Sequence, residues 1–318
     1  MGIPRGSARL LIEEAKARPF SGSVLQLGRS SVYFGWHDLE RWARKHGFAL
    51  AATGPKPSHD PRLAAQGCIA DDTLFHALGF DEVRSCDLEA WEGADYLFDL
   101  NGEVPAELHG RFDAVFETGT IVQVFDLPRV MANLHRLLRP GGRVIHCAVP
   151  SNNHMDLGFY MLCPTFFADY YQANGYRIET QLLCEYFSWW LDGRLYTGRW
   201  RVWDYRPGLL DHLSYGRYGG AQAATFLVAS KLEESTGGVT PQLGQYRSAW
   251  NSFRADGSQG AAAAVESADR AARTRGSALE RSPVARGTHR PVAVVLKRLA
   301  EIARRLLPRD LPTPKMRV

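Results

Sequence analysis

The 318 residues contain no run of 18 consecutive apolar residues, which excludes a helix spanning a membrane by the usual length criterion. There is no CxxC pair. The five cysteines (Cys68, Cys86, Cys147, Cys163 and Cys184) are odd in number and widely spaced, which argues against a disulfide framework or a structural zinc site. No metal site is expected, and reduced thiols in a cytoplasm fit this usage. The first 30 residues lack a basic stretch followed by an apolar one, so no secretory signal is expected and a cytoplasmic location is. Internal repeats are absent. Lysine is scarce, with 6 of the 38 basic residues.

The formal net charge of +4 hides a division. Residues 251–318 carry 14 Lys+Arg against 6 Asp+Glu, so the first 250 residues are net acidic. A nucleic-acid partner inferred from the overall charge would therefore be mistaken, and none is expected.

Composition separates the chain into regions. Residues 8–19 (ARLLIEEAKARP) read as an amphipathic helix after Ser7, within an N-terminal helical segment 1–20. Residues 21–235 form the main domain. Residues 236–290 are rich in Ala, Gly, Ser and Arg, with Phe253 the only aromatic after 250 in that stretch, and read as a linker, disordered in part. Residues 291–307 place Val292, Val295, Leu296, Leu299, Ile302 and Leu306 on one face with arginines opposite. This is a basic amphipathic helix suited to a protein partner or an anionic membrane surface. A tail, 308–318, follows.

Within the main domain, apolar runs alternate with helical patterns. Strands are expected at Ser23–Leu27, Glu82–Asp87, Tyr96–Leu100, Arg111–Phe116, Arg143–Val149, Tyr176–Cys184 and Ala223–Ser230. Helices are expected at Asp38–His46, Asp72–Leu78, Leu127–Leu138 and Pro164–Asn174, the first two stopped by Gly47 and Gly79. Arg139-Pro140-Gly141-Gly142 reads as a sharp turn between helix and strand. The alternation predicts an α/β fold: a Rossmann-like, mostly parallel seven-stranded sheet with helices on both faces. An aromatic-rich insertion (185–222) precedes the last strand. In it Trp189, Trp190, Tyr196, Trp200, Trp203, Tyr205, Tyr215 and Tyr218 interleave with Arg194, Arg199, Arg201 and Arg206. That stretch suits a substrate wall, a partner surface or ordinary packing over the sheet.

The phrase FDAVFETGT followed by LHRLLRPGGRVIHCAVP resembles the fourth-to-fifth-strand segment of class I S-adenosylmethionine-dependent methyltransferases. More narrowly, Leu27-Gly28-Arg29, Asp99-Leu100-Asn101, Gly119-Thr120, and the run from Pro150-Ser151-Asn152-Asn153 to Gly158-Phe159-Tyr160 are similar to a bacterial small-molecule or natural-product branch of that superfamily. The resemblance covers about residues 21–232. It implies S-adenosylmethionine as cofactor, held by Gly28, Arg29, Asp87, Asp99, Leu100, Asn101, Glu117, Thr118 and Gly119. The chemistry of those types is apt: a glycine permits close backbone approach, an acidic residue at a strand end accepts two ribose hydroxyls, and Asp and Asn meet a purine edge.

The chain also departs from that branch. Gly28 is followed by Arg29-Ser30-Ser31-Val32-Tyr33 rather than by further glycines. Val122-Gln123 stands where the branch places Glu-His, and Leu157 stands where it places His. The remaining acid/base candidates are His154, Asp156 and Tyr160, in the loop after the fifth strand. His146, inside a strand, reads as a hydrogen-bonded core residue. Three functions stay open. The first is methyl transfer to an O or N atom of a small molecule such as a sugar or natural-product intermediate. The second is non-methyl chemistry on the same fold, such as an intramolecular cyclisation. The third is a non-catalytic partner protein.

Overall fold

The structure is a computed structural model that describes residues 2–191, 194–210, 218–244 and 315–317. The chain divides into two compact units. One comprises Met1–Tyr205, Gln222–Thr240 and Pro314–Val318; the other comprises Arg206–Ala221 and Pro241–Thr313. The expected helix at 291–307, most of the linker, and Tyr215 lie outside the described residues.

The chain opens with β1 (Gly2–Ile3), α1 (Arg5–Ala17), β2 (Ser23–Leu27), β3 (Ser31–Val32), α2 (Trp36–His46), α3 (Pro61–Ala65) and α4 (Asp71–Leu78). There follow β4 (Glu82–Asp87), β5 (Tyr96–Leu97), β6 (Phe112–Glu117), α5 (Leu127–Leu137), β7 (Leu138–Asn152), α6 (Pro164–Ala173) and β8 (Arg177–Tyr186). Last come β9 (Ser188–Leu191), β10 (Arg194–Thr197), β11 (Arg201–Asp204), β12 (Gln222–Ser230) and β13 (Met316–Arg317).

One sheet has the order β13-β11-β8-β12-β7-β6-β2-β4-β5. Its neighbours from β5 to β7 are parallel, and β12 is antiparallel to both β7 and β8. Nine strands replace the seven expected, because β11 and β13 extend the β8 edge. The order reverses at β2, which has β4 on one side and β6 on the other.

Strand β2 is buried along its whole length, and its side chains alternate between two cores, as the period of two requires. Val24 joins α1, α2 and α4 through Leu11, Leu39, Trp42 and Phe75. Leu25 and Leu27 join α5 and α6 through Val130, Met131, Leu134 and Phe167. The sheet is thus covered on both faces, the condition under which parallel strands read as unbroken apolar runs. Gly47 and Gly79 end α2 and α4 in the left-handed region, at φ 65° and 114°. At Gly79 no other residue fits, because a Cβ would lie 2.8 Å from the Phe20 carbonyl oxygen. Among the described residues no helix is long and apolar enough to cross a membrane.

Three local expectations are corrected. The first helix starts at Arg5, behind Pro4, so Ser7 is a buried residue within the helix rather than ahead of it. Strand β5 stops at Leu97 because Asp99 Oδ1 takes the Asn101 amide at 2.8 Å, a turn that competes with strand pairing. The Arg139–Gly142 stretch is no sharp turn. Strand β7 begins at Leu138 and carries these residues as an irregularity in its pairing with β6. The Lys231 backbone holds them on the other side, exchanging bonds with Gly141 (2.8 Å) and Gly142 (2.9 Å). Its Nζ also donates to the carbonyls of His135 and Leu138, at 2.8 and 2.7 Å, which satisfies the open end of α5. Residues 236–239 are tied to the domain as well: Asn174 accepts from Thr236 and Val239 and donates to the Val239 carbonyl.

Candidate functional site

Where strand order reverses, the connections leaving β2 and β6 diverge to opposite faces and leave a crevice at the carboxyl ends of the strands. A cavity of about 360 Å³ lies there, within the range of small-molecule sites. Gly28, Arg29, Asp87, Asp99, Leu100, Asn101 and Thr118 line it. The other two expected cofactor residues do not. Glu117 is fully buried, and Gly119 donates its backbone N–H to Glu117 Oε2 at 2.7 Å.

Gly28 has φ 73°, a conformation that glycine adopts without penalty. A Cβ there would project to 3.3 Å from Thr120 Oγ1 and 3.9 Å from Asp87 Oδ2. The bare backbone therefore leaves room on the cavity floor beside a carboxylate. Asp87 Oδ1 accepts from the Leu88 amide at 2.7 Å, and Oδ2 accepts no hydrogen bond from the described residues. Asp99 and Asn101 serve the turn more fully: Asn101 donates both its backbone and side-chain N–H to Asp99 Oδ1, and its Oδ1 accepts from the Asp126 amide.

Arg29 bears directly on the fit of a cationic sulfonium, which an unpaired guanidinium would repel. It is paired: Nε lies 3.3 Å from Oδ2 of Asp71, which is buried at the start of α4 and also accepts from Gln26 Nε2 at 2.9 Å. Its Nη1 donates to the Glu92 carbonyl. The residues present therefore fit S-adenosylmethionine: an open backbone floor, a carboxylate oxygen left for hydroxyls, and a cation already neutralised. Cys86 also borders the cavity, but burial pushes its thiol up to about 12, so it stays protonated.

A second cavity of about 350 Å³ shares Thr118 and Gln123 with the first. Its other walls include Gly2, Tyr33, Pro150, His154, Leu157 and Tyr186. His154 is buried, and its Nδ1 lies 2.7 Å from the Asn152 carbonyl. A carbonyl only accepts, so Nδ1 carries the proton and Nε2 presents a lone pair. Tyr186 Oη donates to that Nε2 at 3.1 Å. Burial holds His154 below its ordinary pKa and raises that of Tyr186. A neutral imidazole thus backs a neutral phenol at the cavity wall. The other two acid/base candidates are elsewhere: Asp156 is exposed in the loop at φ 61°, and Tyr160 donates to the Phe125 carbonyl at 2.6 Å.

His146 is the satisfied core residue expected. Its Nδ1 lies 2.6 Å from Glu117 Oε1 and its Nε2 2.6 Å from Tyr171 Oη, with all three buried. Of the aromatic-rich segment, Trp200, Trp203 and Tyr205 are packed inside, while Trp189 is exposed. Trp200 stacks under Tyr186 at 4.4 Å, so packing here supports a wall of the second cavity.

Sequence reasoning missed Ser30, Trp91, Phe98, Thr120 and Gln123 at the first cavity, and Gly2, Tyr33 and Tyr186 at the second. Gln123 and Leu157 did carry a signal, because both are positions where the chain departs from the branch it resembles. The structure brings them together: Gln123 Nε2 donates to the Leu157 carbonyl at 3.2 Å.

No protein-family model matches the sequence, and no curated protein matches it. Solved structures do. A protein of Bacillus halodurans C-125 assigned as a methyltransferase is 10% identical, with 70% of this chain and 98% of that one covered, at a TM-score of 0.37. A geranyl diphosphate methyltransferase in complex with S-adenosylmethionine is 16% identical over 72% of this chain and 85% of that one, at 0.33. The 1,6-didemethyltoxoflavin-N1-methyltransferase of Burkholderia thailandensis is 14% identical over 72% and 80%, at 0.27. The mixed α/β fold itself stands on the strand order given above, and in that fold the chain is similar to S-adenosylmethionine-dependent methyltransferases.

Proposed function

We propose that the chain is an S-adenosylmethionine-dependent methyltransferase acting on a hydroxyl or amine of a small molecule. The observation that carries this reading is the pair of adjoining cavities. One sits at the switch point with a bare glycine floor and an unengaged Asp87 oxygen, and the other is walled by a phenol hydrogen-bonded to a buried neutral histidine.

When bound, the cofactor supplies an electrophilic methyl carbon. Asp87 Oδ2 would accept from the ribose hydroxyls, Gly28 would admit the methionine end, and Asp71 would offset the Arg29 charge near the sulfonium. Thr118 and Gln123 form the wall through which the two sites meet. Tyr186 Oη takes the proton of the acceptor as its oxygen or nitrogen becomes nucleophilic and passes its own proton to His154 Nε2, and the Asn152 carbonyl holds the ring in the tautomer that allows this. Alignment of the two reactants supplies much of the rate, which few dedicated side chains are needed to achieve. Loss of the Glu-His pair at Val122-Gln123 then alters the acceptor wall while leaving the cofactor floor in place.

The test is a calorimetric titration with S-adenosylmethionine and S-adenosylhomocysteine, beside an Asp87→Ala variant. Micromolar binding that weakens at least about tenfold in the variant, the equivalent of ~1.4 kcal/mol, supports the reading. Absence of binding to both compounds sinks it. Transfer of labelled methyl to pooled hydroxyl or amine acceptors then identifies the acceptor class.

A further inference from the structure

On the face where α1 meets α2, the side chains of Arg5, Arg9, Arg41 and Arg199 surround a cavity of about 200 Å³ whose floor includes Trp42 and Thr197. Four guanidiniums converge in the unit that is net acidic by sequence. Asp38 answers two of them, lying 3.4 Å from Arg5 and also pairing with Arg41. Arg9 lies over the Trp42 ring, 5.2 Å from its centroid. Burial and the charges of Arg41, Arg5 and Arg199 depress its pKa, with Asp38 acting the other way, so four cations share one nearby carboxylate.

Two donors at this place lack partners. Arg9 Nε and Thr197 Oγ1 are each buried with no hydrogen-bond partner. Converging guanidiniums match the acceptor oxygens of a phosphate-type anion in both charge and geometry. Thr197 is also a wall of the cavity beside His154. An anion held here therefore lies next to the proposed acceptor site.

We propose that this arginine cage is a binding site for a phosphate-type oxyanion. The inference does not depend on methyl transfer, since none of its four arginines lines the cavity proposed for the cofactor. Inorganic phosphate at matched ionic strength is expected to raise the thermal midpoint of the full chain above its value in chloride, because a ligand of the folded state stabilises it by mass action. Arg9→Gln and Arg199→Gln are each expected to remove most of that shift. Arg199→Gln is not expected to lower the midpoint in chloride, since it removes one member of a repelling group, whereas Arg9→Gln also gives up the contact with the Trp42 ring. Arg199→Gln alters an exposed side chain, so it keeps the proposal falsifiable even if Arg9→Gln fails to fold. Equal midpoints in phosphate and chloride, or a phosphate shift unchanged in Arg199→Gln, would overturn the proposal. Phenyl phosphate separates the sources. Tighter binding than inorganic phosphate assigns the anion to a molecule reaching past Thr197 toward His154, and equal binding assigns it to the phosphate alone.

Discussion

Glu117 shows how one residue can be legible in type and illegible in role. A carboxylate after the fourth parallel strand suggests a ligand contact, yet it is fully buried and committed to His146 and the Gly119 amide. No sequence pattern announces that pairing, because His146 lies 29 residues away on the neighbouring strand and Tyr171 lies on α6. The pairing makes a sharp prediction. His146→Phe fills the volume but strips Glu117 of a hydrogen-bond partner, leaving its buried carboxyl group on one N–H. Leaving a buried polar group short of a partner costs about 1–3 kcal/mol, and chemical denaturation should show a loss of at least that size. A loss under ~0.5 kcal/mol, the range of surface substitutions, would mean that the pairing contributes little to stability. Asp87, by contrast, is legible in place, because a six-residue strand ending in Asp puts the side chain at the crevice whichever residues surround it.

At the scale of elements, the long amphipathic stretches declare themselves and the short pairings do not. Helices α2, α4, α5 and α6 lie within two residues of their expected ends, since their apolar periodicity and glycine stops are local signals. The two-residue strands β1 and β3 carry no period to read. They nonetheless shape the site. Gly2 and Ile3 pair in parallel with Ser31 and Val32, which fixes the loop after Gly28 where further glycines are missing. The segment also contributes Gly2, Pro4 and Tyr33 to the second cavity, and the Gly2 carbonyl accepts from Thr118 Oγ1. A Cβ on Gly2 would lie 2.2 Å from the Tyr33 ring and 2.7 Å from the Ser31 carbonyl oxygen. Gly2→Val should therefore unpair β1 and reshape the acceptor wall while leaving the Asp87 side of the first cavity intact. The expected outcome is turnover reduced at least about tenfold, ~1.4 kcal/mol in the barrier, with a smaller change in S-adenosylhomocysteine affinity. An affinity loss as large as the rate loss would show that β1 supports both cavities equally.

For the whole molecule, alternation of strands and helices makes the two-faced sheet legible. The added edge strands β11 and β13 are not, since β13 joins the sheet from residues 316–317, far along the chain from its partner. The charge division is legible as well, but it averages away the local cluster of arginines on α1 and α2. The fold also writes a pH dependence that composition cannot show. His135 sits in the last turn of α5 beside Lys231 and Arg136, and burial together with those two charges depresses its pKa to about 4 from 6.5. Burial depresses His154 from 6.5 as well. A histidine whose folded-state pKa is lowered takes up a proton more readily in the unfolded chain. Its contribution to stability is thus complete above pH 6.5 and is lost as the pH falls from there toward 4. Denaturant unfolding at intervals across that window should show stability falling in the wild type. His135→Gln removes this group's share, so the gap between wild type and variant should narrow steadily as the pH drops, whatever the carboxylates contribute to both. A gap that stays constant would place the titration of His135 at its ordinary value. Burial likewise favours the neutral form of His154, so the acid limb of methyl transfer should lie below pH 6.5. In His154→Gln that limb should disappear along with most of the rate, whereas a limb that survives the substitution would assign proton removal to another group.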